Sequence, residues 1–284
     1  MKISVSSYSF NQYLNKGLLD ICSLPQKAKE MGFEGIEFID ITENNPIETA
    51  KKIKENADKC GISIIAYTIG AKMYHETEDS WQKEFDRLKG QIEIAKALGA
   101  PLLRHDTCFE FAKNVRSFDL MLPNMAKHTR KFCEYAKTQG IKTCSENHGL
   151  IAQDSDRVER LFNAVNHENY GLLVDFGNFL CVDEDSVHAV SRVAPYAFHV
   201  HAKDMVIHPD KPETQNFIMT RGANRLEPTY VGGGDVNVFQ CLKIMKRAGY
   251  DGYVSIEFEG AGDCIEMIKK GRDNLKKYLS EIDG

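Results

Sequence analysis

The chain has 284 residues, of which 42% are hydrophobic and 27% are charged, and its formal net charge is −5 at pH 7. This composition supports a sizeable core, and the lack of a basic block or of about 18 consecutive apolar residues argues against charge-driven nucleic-acid binding and a membrane span. The eight cysteines form no CxxC pair, and the N-terminus lacks the apolar stretch of a signal peptide. We therefore expect a cytoplasmic protein with reduced thiols.

One local pattern recurs along the chain after a first predicted strand at residues 3–10. An amphipathic helical stretch ends near a glycine, or once a proline, and a short apolar run follows it. Glycine just beyond a helix adopts the left-handed conformation that ends the helix, and the apolar run is typical of a buried strand. The later strands are predicted to begin near residues 35, 62, 100, 141, 172, 197 and 253, and the clearest helices are predicted at 47–60, 80–98, 120–139, 235–248 and 264–279.

The alternation of strands and helices predicts parallel pairing. Eight such units in 284 residues predict an α/β fold, a closed (β/α)8 TIM barrel spanning residues 1–284 as a single domain, with an open doubly wound sheet as the alternative. Residue alternation within the strands favours the barrel, because one strand face is apolar while the other becomes polar toward its C-terminal end. The segment at about 205–234, rich in Pro, Asn, Gly and Thr, is expected to be a long irregular loop after the seventh strand.

Four consecutive predicted strands each end in a candidate metal ligand, namely Glu146, Asp175, His201 and Glu257. Because the C-terminal ends of barrel strands surround the active-site mouth, the four side chains should converge there. Their occurrence on adjacent strands favours a metal site over unrelated charged residues at strand ends. Three carboxylates and one imidazole favour one divalent ion, Mn2+, Mg2+ or Co2+, with Zn2+ as a further candidate.

Polar residues close to these ligands are candidates for substrate binding. His148 shares strand parity with Glu146, and its alternative role is that of a solvated loop histidine. Lys203 shares parity with His201, where it would bind a substrate oxygen or neutralise the carboxylates, against the alternative of a structural ion pair. Glu37 in the second strand points inward by parity and is a candidate support for the ligands.

Other candidates lie farther along the rim of the predicted barrel. At least one of Arg104 and His105, at the end of the fourth strand, should face the mouth and contact substrate. Arg221 in the long loop is placed to reach a phosphate or hydroxyl, with simple solvation as its alternative. Tyr8 is a candidate pocket wall, although aromatic residues more often belong to the core. His199 lies one layer below the ligand His201 and is expected to be a packed, hydrogen-bonded residue.

The residues also resemble a known family. The run His-Ala-Lys-Asp at 201–204, the run Gly-Gly-Gly-Asp at 232–235 and the last-strand Glu257 are its most specific pieces. Over nearly its whole length, the chain resembles the sugar phosphate isomerase/epimerase family of the xylose isomerase-like TIM barrels. The resemblance implies one divalent metal bound by Glu146, Asp175, His201 and Glu257, with the two glutamates also moving the proton. Asn178 follows Gly177 where many members carry a histidine, and we expect Asn178 to contact substrate.

The function implied is that of a metal-dependent isomerase or epimerase acting on a ketose or sugar phosphate. Proton removal next to a carbonyl forms an enediolate, which a divalent cation stabilises while two carboxylates abstract and return the proton. The expected partner is a small carbohydrate or keto-polyol, with no nucleic acid and no membrane. Dimers and tetramers are common in the resembled family, so a homodimer or homotetramer is the compatible assembly.

Three alternatives differ from this function in chemistry. The first is a dehydratase of the inosose or dehydroshikimate type, in which His148 or His105 protonates the leaving hydroxyl. The second is DNA repair by an enzyme like endonuclease IV, which the missing histidines after Asp175 and the net charge of −5 disfavour. The third is a binding protein without activity, which the intact set of four ligands disfavours.

Overall fold

The structure is a computed structural model that describes residues 1–208 and 217–284. The strands in these ranges are β1 (Lys2–Ser6), β2 (Gly35–Ile39), β3 (Ser63–Ile69), β4 (Leu102–His105), β5 (Lys142–Glu146), β6 (Tyr170–Asp175), β7 (Ala197–Ala202), β8 (Asp204–His208), β9 (Ile218–Met219), β10 (Arg225–Thr229) and β11 (Tyr253–Ile256). The α-helices are α1 (Asn11–Asn15), α2 (Leu24–Glu30), α3 (Pro46–Cys60), α4 (Glu78–Leu98), α5 (Phe118–Thr138), α6 (Ser155–Val165), α7 (Ser186–Val193), α8 (Val238–Arg247) and α9 (Cys264–Asp283).

Eight of these strands close into a barrel in the order β1-β11-β7-β6-β5-β4-β3-β2. The pairs are parallel throughout, and β1 closes the ring by pairing with both β11 and β2. The predicted TIM barrel is therefore confirmed, and the open sheet is wrong. All eight cysteines are free thiols. No helix in the described part of the chain is long and apolar enough to cross a membrane.

The ends of the helices follow the glycine pattern with one exception. Gly61 and Gly99 cap α3 and α4 in the left-handed conformation, with φ of 67° and 72°. Gly171 departs from the prediction because it lies inside β6, where an added Cβ would collide with the ring of Phe198. The left-handed residue that ends α6 is Asn166, which tolerates this conformation better than most side chains do.

Two predicted irregularities are corrected by the structure. The first strand ends at Ser6, and Ser7–Phe10 form a 3-10 helix rather than a continuation of the strand. The segment 205–234 is not one irregular loop, because β8, β10 and β9 form an antiparallel sheet of three strands in that order. Residues 209–216 of the predicted loop lie outside the described residues.

The glycine run that follows this small sheet is held by Asp204. Its carboxylate accepts hydrogen bonds from the backbone N–H groups of Gly232, Gly234 and Val236 at 2.8–3.1 Å. An added Cβ at Gly234 would collide with Asp204 itself and with the backbone of Met205. The close approach therefore requires glycine. It joins the chain after β10 to Asp204 at the start of β8.

The interior of the barrel changes character along the barrel axis. A small apolar cluster fills the lower part, toward the N-terminal ends of the strands, and consists of Ile65, Ala66, Leu102, Cys144 and Leu173. Because strand side chains alternate with a period of two, the next inward residues on β4, β5 and β6 are Arg104, Glu146 and Asp175. All three are buried charged residues. The barrel thus places an ionic layer directly above an apolar one.

Candidate metal centre

Four buried side chains from neighbouring strands meet in the ionic layer. Glu146 and Asp175 end β5 and β6, His201 lies in β7, and Glu257 follows β11. The Nδ1 atom of His201 lies 3.6 Å from Asp175 Oδ2, 3.8 Å from Glu257 Oε2 and 3.9 Å from Glu146 Oε1. One ligand atom from each residue lies within 4.8 Å of the other three. Atoms that each sit about 2.0–2.3 Å from one ion have separations of roughly this size.

The burial of these atoms indicates what the site requires. Within the described residues, Asp175 Oδ2 and His201 Nδ1 are buried without a hydrogen-bond partner. The other oxygen of Asp175 accepts from the backbone N–H groups of Gly177 and Asn178 at 2.8 and 2.9 Å, so that Oδ2 is held toward the other ligands. Buried polar atoms without partners are costly, and a cation would compensate both of them. The donor set therefore fits one divalent ion.

The end of β5 is fixed to the end of β6 by an asparagine that sequence reasoning did not identify. The side chain of Asn147 donates from Nδ2 to the carbonyl of Asp175 at 2.9 Å, and its Oδ1 accepts from the N–H of Asp175 at 2.8 Å. Asn147 therefore sets the backbone position of one ligand directly after another, Glu146. Its place in the run Glu-Asn-His was visible, but its outward strand parity gave no reason to assign it a role.

Glu146 is held by two polar partners besides the other ligands. Asn178 donates from Nδ2 to Glu146 Oε1 at 2.8 Å. Asn178 was predicted to contact substrate, and the structure places it against a candidate ligand. Arg104 pairs with Glu146 Oε2 and lies 2.8 Å from Asp106 Oδ1. Burial lowers the pKa of Arg104, but Glu146 and Asp106 outweigh burial and raise its pKa above the ordinary value. A permanent cation thus neutralises part of the carboxylate charge.

Lys203 supplies a second buried cation on the opposite side. Its Nζ lies 2.5 Å from Glu257 Oε2, 3.4 Å from Glu259 Oε1 and 3.7 Å from Asp175 Oδ2. Burial lowers the pKa of Lys203, but Glu257 and Glu259 outweigh it and raise the pKa well above its ordinary value. The ammonium group therefore stays charged and pairs with the carboxylates, as both the neutralising role and the structural ion pair predicted, while its contact with a substrate oxygen stays a prediction.

His148 lies at the edge of the same cluster. Its Nδ1 lies 2.9 Å from Asp106 Oδ1, and its side chain is 40% exposed. Burial lowers the pKa of His148, but the hydrogen bond with Asp106 and the charge of Glu146 outweigh it and raise the pKa. Asp106 had no predicted role, because its position beyond β4 carries no parity information. The contact through Nδ1 leaves Nε2 of the imidazole for other partners.

Below the ligands, Glu37 joins two histidines. Its Oε1 lies 2.6 Å from Nε2 of His201, and its Oε2 lies 2.6 Å from Nε2 of His199. The His199 contact is a regular hydrogen bond, whereas the His201 contact is equally short but off the line of one. Burial raises the pKa of Glu37, but the two histidines outweigh it and hold the pKa well below its ordinary value. The structure thus places Glu37 against a ligand and His199 in a packed, hydrogen-bonded position.

Two predicted site residues are not brought into the cluster, and a third lies at its edge. His105 points outward, where its ring packs edge-on against Phe132 with ring centres 5.4 Å apart, because alternation in β4 allows only Arg104 to face inward. The assignment of His105 to the mouth is therefore wrong. Arg221 donates to Asp154 Oδ2 at 2.9 Å and to the carbonyl of Leu150. Tyr8, the third residue, is half-buried and lines a small cavity together with Glu259, the carboxylate that pairs with Lys203. Burial and the negative charge of Glu259 raise the pKa of the Tyr8 hydroxyl group.

The closed (β/α)8 barrel, with three carboxylates and an imidazole gathered at the C-terminal ends of its strands, defines the class of the protein as a TIM barrel with a candidate metal site at its mouth. A family model described as xylose isomerase-like TIM barrel matches residues 25–278, and the chain belongs to this family.

Individual relatives are distant. The inosose dehydratase of Clostridium perfringens (strain 13 / Type A) is 22% identical over 271 residues, which cover 90% of this chain and 89% of the relative. The inosose isomerase of Halalkalibacterium halodurans is 25% identical over 217 residues, covering 72% and 71%. A solved structure of IOLI protein with a binding zinc atom has a TM-score of 0.78 at 15% identity and covers 99% of both chains. The first two relatives are named as enzymes of different reaction types, a dehydratase and an isomerase.

Proposed function

We propose that the chain is a divalent-metal-dependent isomerase or epimerase of a ketose or sugar phosphate. The observation that carries the proposal is the order of the ligands around the mouth. Glu146 and Glu257 occupy the outer strands of the row β5, β6, β7 and β11, with Asp175 and His201 between them. A substrate seated above the four ligands would therefore meet one carboxylate from each side, which is what removal and return of a proton requires.

In this proposal each residue has a separate task. A divalent ion, when bound, supplies Lewis acidity that stabilises negative charge on neighbouring substrate oxygens. Glu146 and Glu257 form the acid/base pair, and each pairs with a buried cation, Glu146 with Arg104 and Glu257 with Lys203. Asn178 and His148 are the candidates for holding substrate hydroxyl groups. A cytoplasmic location, a small carbohydrate or keto-polyol substrate, and a homodimer or homotetramer stay predictions.

A specific observation also favours a second candidate function, a dehydratase acting on an inosose-like or dehydroshikimate-like keto-polyol. The contact between His148 Nδ1 and Asp106 directs the other imidazole nitrogen away from the carboxylate. A histidine oriented by a carboxylate through one nitrogen is suited to donate a proton from the other, which a departing hydroxyl requires. The relative named inosose dehydratase supports this candidate, and the relative named inosose isomerase supports the first.

The two candidates are separated by the fate of the substrate in deuterated water. The Mn2+-loaded protein is incubated with a panel of ketoses and inososes, and the products are followed by mass spectrometry and proton NMR. An isomerase or epimerase places deuterium on an unchanged carbon skeleton, whereas a dehydratase releases water and leaves a conjugated ketone. If protein treated with EDTA is as active as the loaded protein, metal dependence is contradicted.

The assignment of the acid/base pair is tested by Glu257→Gln. We expect loss of at least about 1000-fold in turnover with the fold retained, because the amide cannot accept a proton. Glu184→Gln is the matched control, since Glu184 accepts hydrogen bonds from Ser155 remote from the four ligands. Turnover by Glu257→Gln within tenfold of the unchanged protein would reject the assigned role.

A further inference from the structure

We propose that Glu37 is a positioning residue that selects which nitrogen of His201 faces the ion, and that His199 holds Glu37 in place. The inference rests on the proposed metal-dependent function and deepens it. Among the described residues, the ion pairs of Glu37 are with His199 and His201, so it acts on the candidate metal site through His201. Its position in β2 is not adjacent to β7, since β1 and β11 lie between them in the barrel.

The burial of Glu37 and its two contacts define its partners. Glu37 is 0% exposed and spans the barrel interior to contact two imidazoles from β7, each at 2.6 Å. Both contacts are made through Nε2, and each uses a different oxygen of the carboxylate. Within the described residues, the ion pairs of this buried carboxylate are with these two rings, along a regular hydrogen bond for His199 and off the line of one for His201. A buried carboxylate is stabilised when each neighbouring nitrogen turns a hydrogen toward it.

The consequence for His201 follows from the chemistry of imidazole. A neutral ring carries one N–H, so a hydrogen on Nε2 facing Glu37 leaves Nδ1 with an unshared electron pair. That nitrogen lies 3.6–3.9 Å from one oxygen of each of the three ligand carboxylates. Metal-bound histidines commonly donate their second N–H to a carboxylate, which fixes the ring and increases its basicity as a ligand.

The same three residues also lie close enough together to be considered as a second metal group. The distances disfavour this alternative. Nitrogen and oxygen atoms that are both bound to one ion at about 2.0–2.2 Å are held roughly 3 Å apart by their mutual repulsion. The two contacts of Glu37 are shorter, at 2.6 Å, and are of hydrogen-bonding length. We therefore assign Glu37 to His201 rather than to an ion of its own.

The test is a binding measurement that does not depend on activity. Co2+ is titrated into the unchanged protein and into Glu37→Gln, with Kd from calorimetry and the visible absorption of the bound ion recorded together. We expect Kd to rise about 10- to 100-fold in Glu37→Gln, with an altered visible spectrum, as is typical when the carboxylate behind a ligating histidine is lost. Glu184→Gln, a carboxylate substitution remote from the cluster, should leave both readouts unchanged.

A second readout reports the tautomer directly. Long-range proton–nitrogen NMR of the Zn2+-loaded protein should show His201 with hydrogen on Nε2 and the ion on Nδ1. If the ion is on Nε2, the inference is overturned. It is also overturned if Glu37→Gln binds Co2+ as tightly as the unchanged protein and gives the same spectrum.

The outcomes separate this inference from the function on which it rests. If the unchanged protein binds no divalent ion, the proposed function fails and takes the inference with it. If the unchanged protein binds the ion but Glu37→Gln is unaffected, only the inference fails. Should Glu37→Gln not fold, His199→Gln replaces it, because it leaves Glu37 in place with one oxygen unbonded. We then expect a smaller rise in Kd, of about 3- to 10-fold, and an unchanged Kd would reject the role.

Discussion

The lower and upper layers of the barrel interior are built on the same strands but contribute to folding stability in opposite ways. The lower layer, with Leu102, Cys144 and Leu173, is apolar and contributes to folding by removing hydrocarbon from water. Two residues further along the same strands, the upper layer buries carboxylates and cations whose desolvation opposes folding. The candidate site therefore lowers the stability of the fold, and the apolar layer beneath it offsets that loss.

Removal of a ligand in the upper layer should have the largest effect. We expect Asp175→Asn to weaken Mn2+ binding by roughly 1000-fold, since loss of a ligand exceeds the 10- to 100-fold typical of supporting residues. The melting temperature of the ion-free protein should change little, because the amide oxygen still accepts from Gly177 and Asn178. Calorimetric titration and thermal melting measure the two quantities. Mn2+ binding within tenfold of the unchanged protein would contradict the role of the upper layer.

Truncation in the lower layer should show the opposite pattern. Leu173 is 1% exposed, and Leu173→Ala should reduce the free energy of unfolding by about 3 kcal/mol through lost burial and a residual cavity. The Kd for Mn2+ should remain within about threefold, because no ligand is touched. Urea unfolding without the ion measures the first quantity and calorimetry the second. A large rise in Kd with unchanged stability would remove the distinction between the layers.

A smaller effect on stability is expected from a residue outside the barrel wall. His105 is at the height of the upper layer but points outward, and burial lowers its pKa to about 4. The unfolded chain, with a histidine pKa of about 6.5, binds the extra proton first, so the stability supplied by neutral His105 is lost as pH falls from about 6.5 toward 4. Between pH 7 and 5, the protein should lose about 2 kcal/mol more unfolding free energy than His105→Asn.

Urea unfolding of the ion-free proteins at the two pH values checks this expectation. The variant His105→Asn is the non-titrating reference for the unchanged protein. Its side-chain amide can still donate an N–H to the backbone carbonyl of Asp106, which His105 contacts at 2.8 Å. If both proteins lose the same unfolding free energy between pH 7 and 5, His105 takes up a proton in the folded state as readily as in the unfolded chain. The wall outside the upper layer would then tolerate a charge.

The barrel and the convergence of the four candidate ligands could be predicted from the sequence, because both depend on local periodicity. Strand parity and strand ends are set by residues two to ten positions apart, and a closed parallel barrel brings all strand ends to one mouth. Parity also placed Glu37 inward. It left Arg104 and His105 undecided, because neighbours in a strand face opposite sides and the absolute phase of β4 depends on its register with β5.

The parts that were missed depend on longer-range contacts. Asp106 and Asn147 act through hydrogen bonds to residues on other strands, which residue spacing does not reveal. The small sheet was missed because β10 carries Pro228 and pairs with β8 across about twenty residues. In the sequence, Arg225–Thr229 shows only a weak alternation of polar and apolar residues, in a segment otherwise typical of a loop. Proline at such a position is tolerated where its missing N–H is not needed.

The hydrogen bonds between Asp204 and the glycine run have a consequence for how the segment between them can vary in length and sequence. Asp204 is one residue from Lys203 and three from His201, while Gly232, Gly234 and Val236 begin the return to α8. The hydrogen bonds of Asp204 thus join the two ends of the segment that carries β8, β9 and β10. We expect this segment to behave as an exchangeable module whose length and composition vary freely between natural variants, because the cost of a longer loop rises only slowly once its ends are clamped.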